Sequence, residues 1–160
     1  MSSGQVTGRH GIPTSGGRPA ARAQEAPVSR MIFVNLPVKD LAASRGFFQA
    51  LGFAINDQFS DDKAACVALA DNIFVMLLRE PFFKTFLNGD VVDATRATEV
   101  LNCLSADSRQ EVDDLVRKAV EAGGKPWKDT FSDGPMYGGS FQDLDGHVWE
   151  VMHMDGPAQA

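Results

Sequence analysis

The chain has 160 residues, 44% hydrophobic and 22% charged, the size and balance of one globular domain. With 15 Gly, 8 Pro and no long unbroken apolar run, collagen-like, wholly disordered and helical membrane-spanning architectures are excluded. Formal net charge is −6; Arg9, Arg18, Arg22 and Arg30 against Glu25 give residues 1–30 a charge of +3, leaving −9 on residues 31–160. That field disfavours nucleic acid or a polyphosphate as partner.

Residues 1–30 have no apolar periodicity and are rich in Gly, Ser, Pro, Ala and Arg, including Gly16-Gly17, so nothing there offsets the entropy of ordering. A disordered tail is expected. An Arg- and Ser-containing, acid-poor N-terminus resembles an organelle transit peptide, but its Gly and Pro oppose the amphipathic helix such a peptide forms. Cys66 and Cys103 can form at most one bridge and no secretory signal core precedes the domain, so a reduced, cytoplasmic protein is expected.

The pattern changes at Met31-Ile32-Phe33-Val34-Asn35-Leu36, an apolar, β-prone run closed by Pro37, which has no N–H to donate. Asp40 then stands at a helix start, with Leu41, Phe47, Phe48 and Leu51 at helical spacing until Gly52. Strands are expected over residues 53–59, 64–69 and 73–78, separated by turn-rich Ser60-Asp61-Asp62-Lys63 and Ala70-Asp71-Asn72. The first half reads βαβββ.

The second half repeats that order. Residues 99–105 read as a strand; Ser108 caps a helix, with Glu111 completing a capping box and Val112, Leu115, Val116 and Ala119 on one face until Gly123-Gly124. Strand material follows over residues 125–131, 136–144 and 147–154, with Asp145-Gly146 expected as a two-residue hairpin. The repeat lies in element order rather than residue identity. Between the halves Phe82, Phe83 and Phe86 are spaced to share a face of a short helix, so residues 81–97 read either as a linker packed on the core or as a flap over a cavity.

Val38-Lys39-Asp40-Leu41, then Phe47-Phe48 and Leu51-Gly52-Phe53, resembles the opening module of the vicinal oxygen chelate superfamily, which includes glyoxalases, bleomycin resistance proteins and extradiol dioxygenases. Phe141-Gln142-Asp143-Leu144-Asp145-Gly146-His147-Val148-Trp149-Glu150-Val151 is similar to the family's Asp-Gly hairpin and its following acidic metal ligand. The resemblance implies an α+β domain over residues 31–157, built of two βαβββ modules (31–80 and 98–154) that pair into a cupped mixed sheet. Reaction type does not follow from the fold. Family ligand positions fall on Phe33, Met76, Leu101 and Glu150, of which Glu150 alone suits a hard or borderline cation. No complete Zn, Ni, Mn or Fe site is therefore expected.

Strand parity separates His147 and His153 from Glu150, so the histidines are expected at exposed or edge positions and rejoin Glu150 only through a bulge. The same parity lines the cup with Phe33 and Asn35; with Phe74, Met76 and Leu78; with Leu101, Cys103 and Ser105; and with Val148, Glu150 and Met152. Such a lining suits a small apolar or aromatic ligand oriented by Asn35 and Glu150, unless the side chains simply fill the cup. Apolar surroundings would raise the Glu150 pKa toward general acid or base work, or Glu150 could make a structural hydrogen bond to Tyr137. Cys103 has no sequence-local cation to activate it and reads as inert. Met136-Tyr137-Gly138-Gly139 reads as a close approach of backbone to a neighbour, or as a grip on ligand.

Three functions remain open. The first is metal-free small-molecule binding. The second is an enzyme: a metal-dependent glyoxalase-type lyase or extradiol-type dioxygenase, or a metal-free isomerase using Glu150. The third is a structural or regulatory dimer. No P-loop, dinucleotide-binding, zinc-protease or serine-hydrolase signature is present. The family resemblance implies a homodimer.

Overall fold

The apolar run after Arg30 forms β1 (Ile32–Val38), and Asp40 caps α1 (Leu41–Ala50) by accepting the Ala43 N–H at 3.0 Å. Gly52, at φ +102°, lets the chain leave that helix. The computed structural model describes residues 30–156; the expected tail lies outside the described residues except for Arg30.

Short β2 (Ala54–Asn56) replaces the longer strand expected over 53–59, because Asn56 accepts the Gln58 N–H and turns residues 57–59 into a 3₁₀ turn. Then follow β3 (Ala64–Ala70), β4 (Ile73–Arg79) and α2 (Glu80–Lys84), the expected short helix, where Phe82 meets the Phe86 ring at 5.1 Å. The second module contains β5 (Leu101–Ser105), α3 (Arg109–Glu121), β6 (Lys125–Pro126), β7 (Phe131–Asp133), β8 (Met136–Gln142) and β9 (Val148–Met154). Ser108 accepts the Glu111 N–H at 3.1 Å, while the Glu111 carboxylate reaches back one residue further than the usual box, to the Asp107 N–H at 2.7 Å.

The first sheet runs β1-β4-β3-β2 and the second β5-β9-β8-β6, with β7 also on β8. In each, the opening strand lies parallel to the closing one: β1 on β4 and β5 on β9. The expected two βαβββ modules are thus present, the second strand of the second module being split between β6 and β7.

One core joins the modules. From α1, Phe48 meets Trp149 of β9 edge-on at 5.3 Å, and Phe47 lies 6.2 Å from Phe141 of β8. Trp149, Phe48 and Phe141 are almost fully buried, and such aromatic pairs add about 0.5–1.5 kcal/mol each beyond burial. The glycine pair in β8 serves close approach on both faces: a Cβ on Gly138 would meet the Phe131 ring, and one on Gly139 would lie 2.9 Å from Val116 of α3.

Candidate functional site

Alternation along the strands creates two unlike faces. Leu36, Val38, Val75, Leu77, Trp149 and Val151 turn toward the helices and are buried. The alternate residues form the concave face. There Phe33 pairs with Phe74 and Asn35 with Met76; in the second module Leu101 pairs with Val148, Cys103 with Glu150 and Ser105 with Met152. Met76 therefore stands two residues beyond the partner of Phe33, just as Glu150 stands two beyond the partner of Leu101. All the residues that parity placed in the cup lining share this face; Tyr137, read as a possible grip on ligand, does not.

The Phe33 and Phe74 rings stack at 5.0 Å and 15°. Phe33 remains 43% exposed and Leu101 52%, so side chains do not close over the cup. On the concave face of β1, β4, β5 and β9, Glu150 is the one residue with a formal charge, and it is half-buried. Asn35 donates to the Phe33 carbonyl at 3.3 Å. Partial burial and the Glu150 carboxylate raise the pKa of the exposed Cys103 thiol; burial alone raises that of Cys66. Among the described residues, no group of three or more His, Cys, Asp or Glu side chains could hold a metal ion.

Tyr137 departs from expectation. Parity sets it on the helix side of β8 with Phe141, where it donates to Asp113 of α3 at 2.8 Å. That carboxylate raises the phenol pKa, and the Arg109 guanidinium lies 5.0 Å over the ring. Glu150 instead faces Ser140 on β8. The histidines are likewise half-buried rather than free at an edge: His147 Nε2 lies 2.8 Å from the Pro37 carbonyl, and His153 Nδ1 2.9 Å from that of Ala106. Neither joins Glu150, as parity required.

The Asp-Gly hairpin is longer than two residues. Gly146 N–H bonds the Asp143 carbonyl at 3.2 Å and Asp143 N–H the His147 carbonyl at 3.0 Å, with Gly146 at φ +94°, the pattern of a three-residue hairpin loop closed by glycine. Its aspartates turn inward. Asp143 accepts the Asp145 and His147 amides, each at 3.0 Å, and Trp149 Nε1 at 3.1 Å. Burial raises its pKa, against the pull of those donors and of His147. Asp145 crosses to the first module, accepting Lys39 N–H at 2.9 Å and Ser44 Oγ–H at 3.2 Å beside the α1 N-terminus.

This clamp borders a pocket of about 310 Å³ at a seam between the modules, lined from both β1 and β5, each an outer strand of its sheet. Asn35 and Val148 line it, together with Asn102, His147 and the connecting segment from Phe83 to Val100, which the concave-face reading did not include. One signal for Asn102 was present in the sequence. Asn102 shares the core-facing side of β5 with Leu104, so it is a polar residue where alternation calls for an apolar one.

A family model described as bleomycin resistance protein-like N-terminal matches residues 30–69. A hypothetical protein from S. aureus is 32% identical, covering 80% of this chain and 95% of its own at a TM-score of 0.68. A glyoxalase-related enzyme from Fulvimarina pelagi (20% identity; 79% and 88% covered; TM-score 0.66) and a glyoxalase/bleomycin resistance protein/dioxygenase family enzyme from Burkholderia phytofirmans (17%; 76% and 96%; 0.64) share the fold. No curated protein matches the chain. No helix among the described residues is long and apolar enough to cross a membrane. The paired modules, the shared core and these likenesses agree: the chain has the fold of the glyoxalase/bleomycin resistance protein/dioxygenase structures, and its opening module carries the bleomycin resistance protein-like N-terminal match.

Proposed function

We propose that this protein binds a small apolar or aromatic molecule on the concave face between its modules, without a metal ion. The observation that carries this reading is the Phe33–Phe74 stack, left open to solvent on a face with one charged group. A planar ring laid on that pair gains contact area and stacking together. Phe33 and Leu101 offer no lone pair, and the Met76 thioether is a soft ligand poorly matched to Zn, Ni, Mn or Fe(II). Glu150 alone would hold such an ion weakly. The donor set thus speaks against a metal-dependent lyase or dioxygenase, and Glu150 serves to orient ligand. A cytoplasmic setting and a homodimeric assembly belong to the same reading, supported by the free thiols and by the family's habit of pairing modules.

Calorimetric titration of chelator-stripped protein with Ni²⁺, Zn²⁺, Mn²⁺ and anaerobic Fe²⁺, beside Glu150→Gln, tests the metal-free part. No one-to-one binding is expected; tight binding lost in the variant would overturn it. N-phenyl-1-naphthylamine, a neutral probe that brightens in apolar sites, should give saturable fluorescence that weakens several-fold in Phe33→Ala. A flat titration of the wild-type protein would refute the ligand-binding part.

A further inference from the structure

We infer that the seam pocket is a second ligand site, built for a compact molecule without an anionic group and with an amide-type edge, and that Asn102 is the residue that reads that edge. The inference goes beyond the concave-face reading. Phe33, Phe74, Met76, Leu101 and Glu150 do not line this pocket; of the expected concave lining, Asn35 and Val148 reach it.

The cavity of about 310 Å³ lies within the size range of small-molecule sites. At the packing density of protein interiors it takes a ligand of about a dozen non-hydrogen atoms. Its walls are largely apolar: Phe83, Leu87, Val91 and Val92 of the connecting segment, with Val100 and Val148 from the second module. The Asn102 carboxamide is half-buried and makes no side-chain hydrogen bond to any described residue. A carboxamide carries two donors and an oxygen with two lone pairs, and sealing it away unpaired is costly. No fully buried side-chain nitrogen or oxygen among the described residues lacks a partner, so the polar atoms of Asn102 reach open space, and the pocket is that space.

Asn35 adds a second carboxamide to the lining, its one recorded side-chain bond being the donation to Phe33. Two carboxamides complement a group that both donates and accepts, as a lactam or primary amide does. Charge narrows the class. Asp90 is paired with Lys84 at 3.0 Å, Glu99 lines the pocket with no such partner, and no Lys or Arg is in the lining, so a carboxylate or phosphate meets the Glu99 charge with no cation in the wall to pair with.

The test is a ¹H–¹⁵N NMR titration of the full chain with 2-quinolone, a bicyclic lactam that fits the volume, beside its anionic counterpart 2-naphthoate. Saturable shifts are expected at the amides of Val91, Asn102 and Gly146 with 2-quinolone and not with 2-naphthoate. Dissociation constants should lie around 10 µM to 1 mM for a ligand of this size. Asn102→Leu should weaken 2-quinolone about tenfold or more, the loss expected when a paired amide edge faces an apolar group. Leu87→Trp, which fills the cavity from the connecting segment, provides a second variant whose effect does not depend on Asn102, and should abolish the shifts. Absence of saturable shifts at those amides in the wild-type protein would overturn the inference. So would equal affinity for 2-naphthoate, or undiminished binding in either folded variant. Shifts confined to Phe74, Met76 and Glu150 would place the lactam on the concave face, ending this inference while leaving the function proposed above intact.

Discussion

Removing the Asp145 carboxylate tests whether the two modules are held by a specific polar clamp or by apolar contact alone. Its oxygens accept Lys39 N–H at 2.9 Å and Ser44 Oγ–H at 3.2 Å, and the residue is buried. Hydrogen bonds to a charged acceptor contribute about 1.5–3 kcal/mol each, and Asp145→Ala also leaves two donors short of a partner. Against this, the variant no longer buries a carboxylate. The balance is a loss of about 2–4 kcal/mol, a large part of the roughly 5–15 kcal/mol that holds a domain folded. Melting should fall by about 6–16 °C. Urea denaturation followed by tryptophan fluorescence reads this directly, because Trp149 is 1% exposed and its indole is bonded to the same turn. Ser44→Ala should cost about 1–2 kcal/mol, and the double variant less than the sum of the two, with a coupling of about 1 kcal/mol. A loss below about 0.5 kcal/mol for Asp145→Ala, or a cycle without coupling, would refute the clamp.

Gly146→Ala combines strain at φ +94° with a Cβ 2.8 Å from the Thr95 nitrogen and 2.9 Å from the Ala94 carbonyl carbon. A cost of about 1–3 kcal/mol and faster hydrogen exchange around residues 94–95 are expected; unchanged exchange would mean that the connecting segment does not rest on the turn. Because partial burial and then the Glu150 carboxylate raise the Cys103 pKa, Cys103 alkylation by iodoacetamide should have an apparent pKa above the ~8.5 of a free cysteine, moving part of the way down in Glu150→Gln. An unmoved pH–rate profile contradicts that coupling. The buried Cys66 should remain unmodified in the native protein. Glu150→Ala should change affinity for the concave-face probe several-fold while shifting stability by less than about 1 kcal/mol, since the group is half-buried and no side-chain partner of it is recorded among the described residues; a stability loss beyond about 2 kcal/mol would assign it to the framework.

Much of this architecture is legible along the chain because its causes are local. A period of two assigns Phe33, Met76, Leu101 and Glu150 to one face whatever the strands later pair with, and a period near 3.6 gives α1 and α3 their buried stripes. Asp40, Ser108, Gly52 and Gly123 mark helix ends through bonds to near neighbours. The same parity argument separated the histidines from Glu150. It also contains the correct side of Tyr137, which is the side of Phe141; a grip on ligand or a bond to Glu150 runs against the alternation of its own strand.

The tertiary structure alone decided what those faces meet. Asp145 finds Ser44, His147 finds Pro37, and Trp149 finds Phe48 across roughly a hundred residues, and no spacing rule links groups so far apart. The hairpin motif was visible, but the inward turn of its aspartates depends on Trp149 and on the N-terminus of α1, which other elements supply. The seam pocket is further removed from local pattern, since its walls come from an outer strand of each sheet and from an aperiodic connection between the modules. Alternation and capping are short-range properties that each segment carries with it. Clamps and cavities arise from the packing of segments against one another, and a cavity's shape is set by what its walls leave unfilled.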